Sequence, residues 1–246
     1  MKSNTWLVCL FIAASLLHGG VTIVAAFSAT FSSAATPIHS IDNVPCRELE
    51  IYVKGIGGSI TVLEATLEGQ EKLVDEVLLM DGDDGHDKKR DDAVKEDPYG
   101  SVLWPAASAV AEYITRDSFS NDEQMKTILE LGTGTGLVAL AASASNKFHN
   151  ILATDYETVP LRLLNAAYHL NQQGQSMNNM DPIHTDLFDI CDFSMPLPQA
   201  ELVCAADILY EKKTGIALAK RTIEALERGS RVVIGCSPGR PGRPIF

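Results

Sequence analysis

The residues best placed to do chemistry lie in Ile128-Leu129-Glu130-Leu131-Gly132-Thr133-Gly134-Thr135-Gly136-Leu137. An apolar run carries an acid, opens into three alternating glycines and continues as a second apolar run. Glycines there let the chain turn sharply and let its backbone approach a ligand that a Cβ would hold off. A dinucleotide fold asks for Gly-x-Gly-x-x-Gly, with its third glycine at position 137. This sequence has Leu137 there and its third glycine at Gly136, which argues against a pyrophosphate cradle and an NAD-dependent oxidoreductase. Asp155 ends the next strand-like run, 23 residues after Gly132. A carboxylate at that point can accept hydrogen bonds from ribose hydroxyls, or it can simply favour the N-terminus of the following helix. Two later acids stand in comparable places: Asp186 in His184-Thr185-Asp186-Leu187-Phe188, and Asp207 in Ala206-Asp207-Ile208-Leu209-Tyr210. Each also reads as an ordinary polar residue, Asp186 at a turn and Asp207 at an exposed strand end.

The elements that must hold these residues follow from the hydrophobic pattern. From Val102 onward, strand and helix alternate. Strands are expected at Thr127–Leu131, Ile151–Thr154, 182–185, Glu201–Ala206 and Arg231–Gly235. Helices are expected at Trp104–Ile114, where Pro105 suits a first turn, and at Leu137–Ser145. Two more follow, one capped by Thr158 and one over Lys212–Arg228 that stops at Gly229. Its apolar residues, Ile216, Ala219, Ile223 and Leu226, are expected to face the core. Such alternation gives an α/β fold, a doubly wound parallel sheet with helices on both faces and a ligand crevice at its carboxyl edge. Before it, residues 48–64 hold two β-rich runs around Gly55, Gly57 and Gly58, a hairpin pattern.

The 246 residues allow one domain with extensions, and 46% hydrophobic content allows a sizeable core. A net charge of −12 opposes a phosphate backbone as substrate, so nucleic acid is disfavoured and a basic or neutral protein or a small molecule suits better. Cys9, Cys46, Cys191, Cys204 and Cys236 form neither a CxxC pair nor a His/Cys cluster at zinc spacing, so no metal is expected; Cys204 and Cys236, each in an apolar strand-like run, read as buried free thiols. Residues 75–97 carry ten acids and four bases, a solvated loop. A calcium loop starting at Asp81 fails because Gly85 and His86 fall where a ligand and a glycine are required.

The glycine pattern after Glu130 resembles the first motif of class I S-adenosylmethionine-dependent methyltransferases. Three further segments are similar to the lysine methyltransferases of that class: Asp97-Pro98-Tyr99-Gly100-Ser101-Val102-Leu103-Trp104-Pro105, Ala206-Asp207-Ile208-Leu209-Tyr210, and Ile234-Gly235-Cys236-Ser237-Pro238-Gly239-Arg240-Pro241. The last resembles a Gly-Asp-Pro-Gly-Arg-Pro loop of one member but has Cys-Ser where that loop has Asp, so the substrate does not carry over. The resemblance covers roughly residues 97–243. It implies a Rossmann-like class I sheet and S-adenosyl-L-methionine as cofactor. It also implies a cofactor site of Trp104, Glu130 near the methionine amine, Gly132, Gly134, Gly136, Asp155 at the ribose, Asp186 at the adenine amino group, and Ala206. Asp207 would hold and orient an incoming lysine ammonium, and Tyr210 would line its channel and stabilise the cation through its ring. Trp104 also reads as a core aromatic. A small-molecule N- or O-methyltransferase and a non-catalytic binding module on the same fold are the alternatives to a protein-lysine N-methyltransferase.

Four parts are expected: a presequence at 1–40, a β-rich extension at 41–74, the acidic loop at 75–97 and the cofactor-binding domain at 98–246. Trp6–Leu17 is apolar behind Lys2, and the stretch to Ser40 lacks acids. That is a signal core followed by a transit-like segment. Ala25-Ala26-Phe27-Ser28-Ala29 resembles the Ala-Phe junction of plastid presequences in algae with complex plastids, implying a plastid address and no membrane contact for the mature form. Another secretory destination and a membrane anchor are the alternatives. At the other end, class I methyltransferases of this resemblance add a helix and a strand pair after the fifth strand. Here only eleven residues follow Gly235, with prolines at 238, 241 and 244. The expectation is a truncated C-terminal hairpin that leaves an open sheet edge.

Overall fold

The apolar runs at 127–131, 202–206 and 231–236 form strands because both faces of the sheet are covered there and nearly every side chain is buried. The computed structural model describes residues 7–11, 38–80, 98–116, 126–173 and 179–246. The Ala-Phe junction and residues 81–97, which include the calcium register, lie outside the described residues.

Two sheets share one core. Strands β2 (Ile38–Ile41), β3 (Val44–Val53) and β4 (Gly58–Ala65) make an antiparallel sheet in that order, followed by helix α1 (Leu67–Met80). The hairpin read from residues 48–64 is β3–β4. The main sheet is parallel and runs β1 (Leu7–Phe11), β9 (Arg231–Cys236), β8 (Leu202–Ala206), β5 (Thr127–Leu131), β6 (Asn150–Asp155), β7 (Ile183–Leu187). Chain order reverses between β5 and β8, the topological switch point where ligands of such sheets bind. The strand order, with helices on both faces, is that of a Rossmann-like, doubly wound α/β sheet.

Alternation along each strand sorts the core. Ile128, Ile151, Leu202 and Val233 pack with helices α2 (Pro105–Thr115), α3 (Leu137–Ala144) and α4 (Thr158–Gln173) and with the small sheet, whose Ile60 and Val62 are fully buried. Leu129, Leu131, Val203, Val232 and Ile234 face the other way, onto helix α5 (Lys212–Glu227). The β-rich extension is therefore not a separate unit: its sheet closes one face of the cofactor-binding domain.

Residues 75–80, expected in the acidic loop, belong to helix α1. Two further expectations change. The apolar face of α5 is rotated. Ile216 and Ile223 are 47% and 56% exposed, while Leu218, Arg221, Thr222 and Ala225 point inward. Small residues decide this: Gly215 lies so close to Gly242 that a Cβ would stand 2.6 Å from its carbonyl oxygen. The second change concerns the β9 edge, expected to be open. Leu7–Phe11 pair with Val232–Cys236 in parallel register, so backbone hydrogen bonds cover that edge with residues the sequence assigns to the presequence. Residues 237–246 form turns and fold back on the β8–α5 loop, with Gly242 N–H donating to the Leu209 carbonyl at 3.0 Å.

Candidate active site

A cleft of about 690 Å³ opens at the carboxyl ends of β5, β6 and β8. Its lining includes Tyr99, Trp104, Gly132, Gly134, Asp155, Ala206, Asp207, Tyr210 and Arg240. Seven of the ten residues picked from sequence are thus at one cleft; Glu130, Gly136 and Asp186 are not in its wall.

The glycine loop makes the floor. Gly132, Gly134 and Gly136 all have left-handed backbone, with φ of 67°, 53° and 81°, a region L side chains enter only at a cost. Each has a distinct spatial reason too. A Cβ would strike Ile208 at Gly132 and Leu164 at Gly136, and at Gly134 it would stand 3.2 Å from the Gly100 carbonyl. Gly136 therefore serves packing of α3 on α4. Gly134 carries the ligand argument, since its N–H is held by Asp155 Oδ2 at 3.1 Å on the cleft wall. Asp155 is buried at the end of β6, and its Oδ1 accepts from Glu157 N–H at 3.3 Å. This arrangement places a carboxylate beside a backbone cradle that a side chain would fill, and it suits a ribose diol.

Glu130, expected near the methionine amine, lies outside the cleft wall. It is buried beneath the loop, and Oε2 accepts from Thr133 Oγ1 at 2.8 Å and from Ala139 N–H at 3.1 Å. Burial pushes its carboxyl up from 4.5 to about 8, against the pull of those two donors. It locks the loop to the first turn of α3.

Asp186 is exposed on β7 and accepts from the N–H of Leu187. The cleft wall is formed just beyond it by Phe188, Asp189, Ile190 and Cys191. This segment is fixed by Arg221, which is almost wholly buried on α5. Its Nε donates to the Ile190 carbonyl at 3.2 Å and an Nη to the Asp192 carbonyl at 2.5 Å, and the guanidinium lies 5.0 and 4.8 Å from the Phe188 and Phe193 ring centres. Nothing in the sequence marked Arg221, because a lone Arg in a helix reads as solvated surface.

Asp207 departs most from expectation. Its side chain is 0% exposed. The carboxylate accepts from Ala106 N–H at 2.9 Å, Ser237 N–H at 2.6 Å, Ser237 Oγ at 2.7 Å and Arg240 Nε at 3.3 Å. Each oxygen accepts two hydrogen bonds, so no lone pair is left for a lysine ammonium. Asp207 instead ties the N-terminal turn of α2, whose N–H groups lack helical partners, to the loop after β9. Its φ of 57° is unusual for a non-glycine residue, and the four donors over-determine it. Tyr210, at 38% exposed, does stand at the cleft rim. Trp104 donates from Nε1 to the Tyr99 carbonyl at 2.9 Å, and the Arg240 guanidinium lies 4.2 Å from its ring centre. Arg240 lies in the segment Ile234–Pro241, but its spacing there implied no role.

A parallel sheet with this switch point, a glycine cradle and an acid at the end of the adjacent strand define a class I methyltransferase-type domain. Residues 88–242 match the profile of the lysine methyltransferase family, and the chain belongs to that family. Among its relatives, the electron transfer flavoprotein beta subunit lysine methyltransferase of Rattus norvegicus is 28% identical over 148 residues, covering 59% of this chain and 52% of that protein. Protein N-lysine methyltransferase METTL21A of Danio rerio is 31% identical over 140 residues, covering 54% and 58%. The chain thus spans about half the length of the curated relatives it matches.

Proposed function

We propose that the protein is an S-adenosyl-L-methionine-dependent protein-lysine N-methyltransferase. The observation that carries this is the Gly134–Asp155 cradle at the switch point of a chain from the lysine methyltransferase family. The residues suit the cofactor: Asp155 for ribose hydroxyls, the Gly132–Gly134 backbone for close approach, Phe188 and Ile190 for an apolar ring, and Trp104 as cover. When bound, the cofactor supplies an activated methyl group on sulfur.

The chain's own task is alignment. Methyl transfer is an in-line displacement, and holding the reactants in line supplies much of the rate. Trp104, fixed by Tyr99 and Arg240, excludes water from one side of the cleft. Tyr99 and Tyr210, 61% and 38% exposed, rim the entrance with ring faces that attract an ammonium or methylammonium. With Asp207 engaged, the exposed acids of the lining are Asp189 and Glu211, and they supply the negative charge toward a cation. The net charge of −12 suits a basic protein substrate and opposes nucleic acid.

Incubating the purified chain with methyl-labelled cofactor and lysate tests this. Label on lysine in protein bands, located by mass spectrometry, is expected. Label only in small molecules would select the small-molecule alternative. Cofactor binding without any transfer would leave a binding module. The acid-free N-terminal stretch supports a further proposal, delivery to the plastid after removal of the presequence. Native protein beginning at or after Phe27 is expected from N-terminal sequencing, and an intact Met1 would overturn it. Removal would also take Leu7–Phe11 off the β9 edge.

A further inference from the structure

Arg240 is held as a receptor is held. Asp207 takes Nε at 3.3 Å and Trp104 covers one flat face at 4.2 Å. Among the described residues, no protein acceptor engages the two terminal nitrogens. The side chain is only 18% exposed, yet it lines the cleft. A guanidinium fixed on its inner edge and one face presents its outer fork, a geometry that matches a carboxylate with two parallel hydrogen bonds. Little entropy remains to be lost when such a fork binds.

We infer that Arg240 binds the carboxylate of the amino-acid portion of the methyl donor. This rests on the methyl-donor reading above and extends it to a named residue. Placement supports it. The ribose acid Asp155 ends β6, while Arg240 follows β9 on the far side of β5 and β8. A nucleoside joined to an amino acid would then lie across the strand ends with its two polar termini on opposite flanks. The other cation of the lining, Lys213, is exposed in the first turn of α5, leaving Arg240 as the cation seated against Trp104. An acidic side chain of a protein substrate carries the same group, but a chain of net charge −12 repels acidic partners.

The inference also gives the Asp207 motif a purpose. Asp207 neutralises the guanidinium and aims it, acting as a positioning residue for Arg240 and not as a ligand for the substrate amine.

Calorimetry with the full chain tests this. Three ligands separate the contributions: S-adenosylhomocysteine, its decarboxylated analogue, and 5′-methylthioadenosine, which lacks the amino-acid portion. The wild type is expected to bind S-adenosylhomocysteine about ten- to a hundred-fold more tightly than the decarboxylated analogue, the range for lost charge-assisted hydrogen bonds. Arg240→Gln should lose that preference, and 5′-methylthioadenosine binding measured alongside reports that the cleft is folded and how far Trp104 has loosened. Equal wild-type affinity for the two homocysteine compounds overturns the inference whatever the variant does. A preference undiminished in Arg240→Gln overturns it as well. Binding of none of the three by the wild type overturns the methyl-donor reading itself, and this inference with it.

Discussion

Glu130→Gln should convert a pH-sensitive fold into a less sensitive one. Burial lifts the Glu130 carboxyl from 4.5 to about 8, so at neutral pH the folded protein keeps a proton that the unfolded chain has released. Between those two values the folded state binds more protons, and stability must fall as pH rises. Below about 4.5 the contribution is constant, and above about 8 the loss is complete. At about 1.4 kcal/mol per tenfold change in proton affinity, the interval sets a ceiling of roughly 5 kcal/mol. Side chains and water rearrange around a buried charge, so about 2–4 kcal/mol is the expected loss. Glutamine keeps the shape, and its amide oxygen can accept from both Thr133 and Ala139. Urea unfolding of both proteins at pH 5, 7 and 9 isolates the group, because every other titration cancels in the difference. The variant should be near wild type at pH 5 and more stable by about 2–4 kcal/mol at pH 9. A difference that stays flat across the three pH values would refute the buried, protonated Glu130.

Gly134→Val should abolish cofactor binding in calorimetry while the chain still folds, because its Cβ would enter the cradle 3.2 Å from the Gly100 carbonyl; unaltered affinity would remove the cradle from the site. Asp207→Asn should cost about 3–5 kcal/mol in urea unfolding, the usual result of breaking a buried charge pair, whereas full stability with methyl transfer alone lost would return Asp207 to the substrate amine. Arg221→Leu strands the carbonyls of Ile190 and Asp192. It should lower the melting temperature and weaken cofactor binding by loosening the Phe188–Cys191 wall; an unchanged melt would show that the wall stands without it.

The strand–glycine–helix unit at 127–144 was legible in the sequence because its causes are local. Left-handed backbone needs glycine at 132, 134 and 136, and a strand buried on both faces needs an unbroken apolar run. Asp155 followed from that unit because chain order places the next strand beside β5. The elements from α2 to β9 agree with their expected spans to within about two residues at each end. What failed depended on distance. Asp207 meets Ala106, which precedes it by 101 positions, and Ser237 and Arg240, which follow it by 30 and 33. No spacing rule reports whether a carboxylate at a strand end meets a substrate or a helix terminus folded over it. The rotation of α5 has the same origin. Its larger apolar residues suggested one face, but Gly215 lets the turn at Gly242 pack against the helix, and Arg221 finds backbone acceptors only where the wall after β7 passes beneath it. Local conformational preference and hydrophobic period wrote the scaffold and the cradle into the sequence. Which polar groups are buried, and therefore which carboxylates and guanidinium groups are engaged before any ligand arrives, was decided only when distant segments packed together and desolvation forced each one to find a partner.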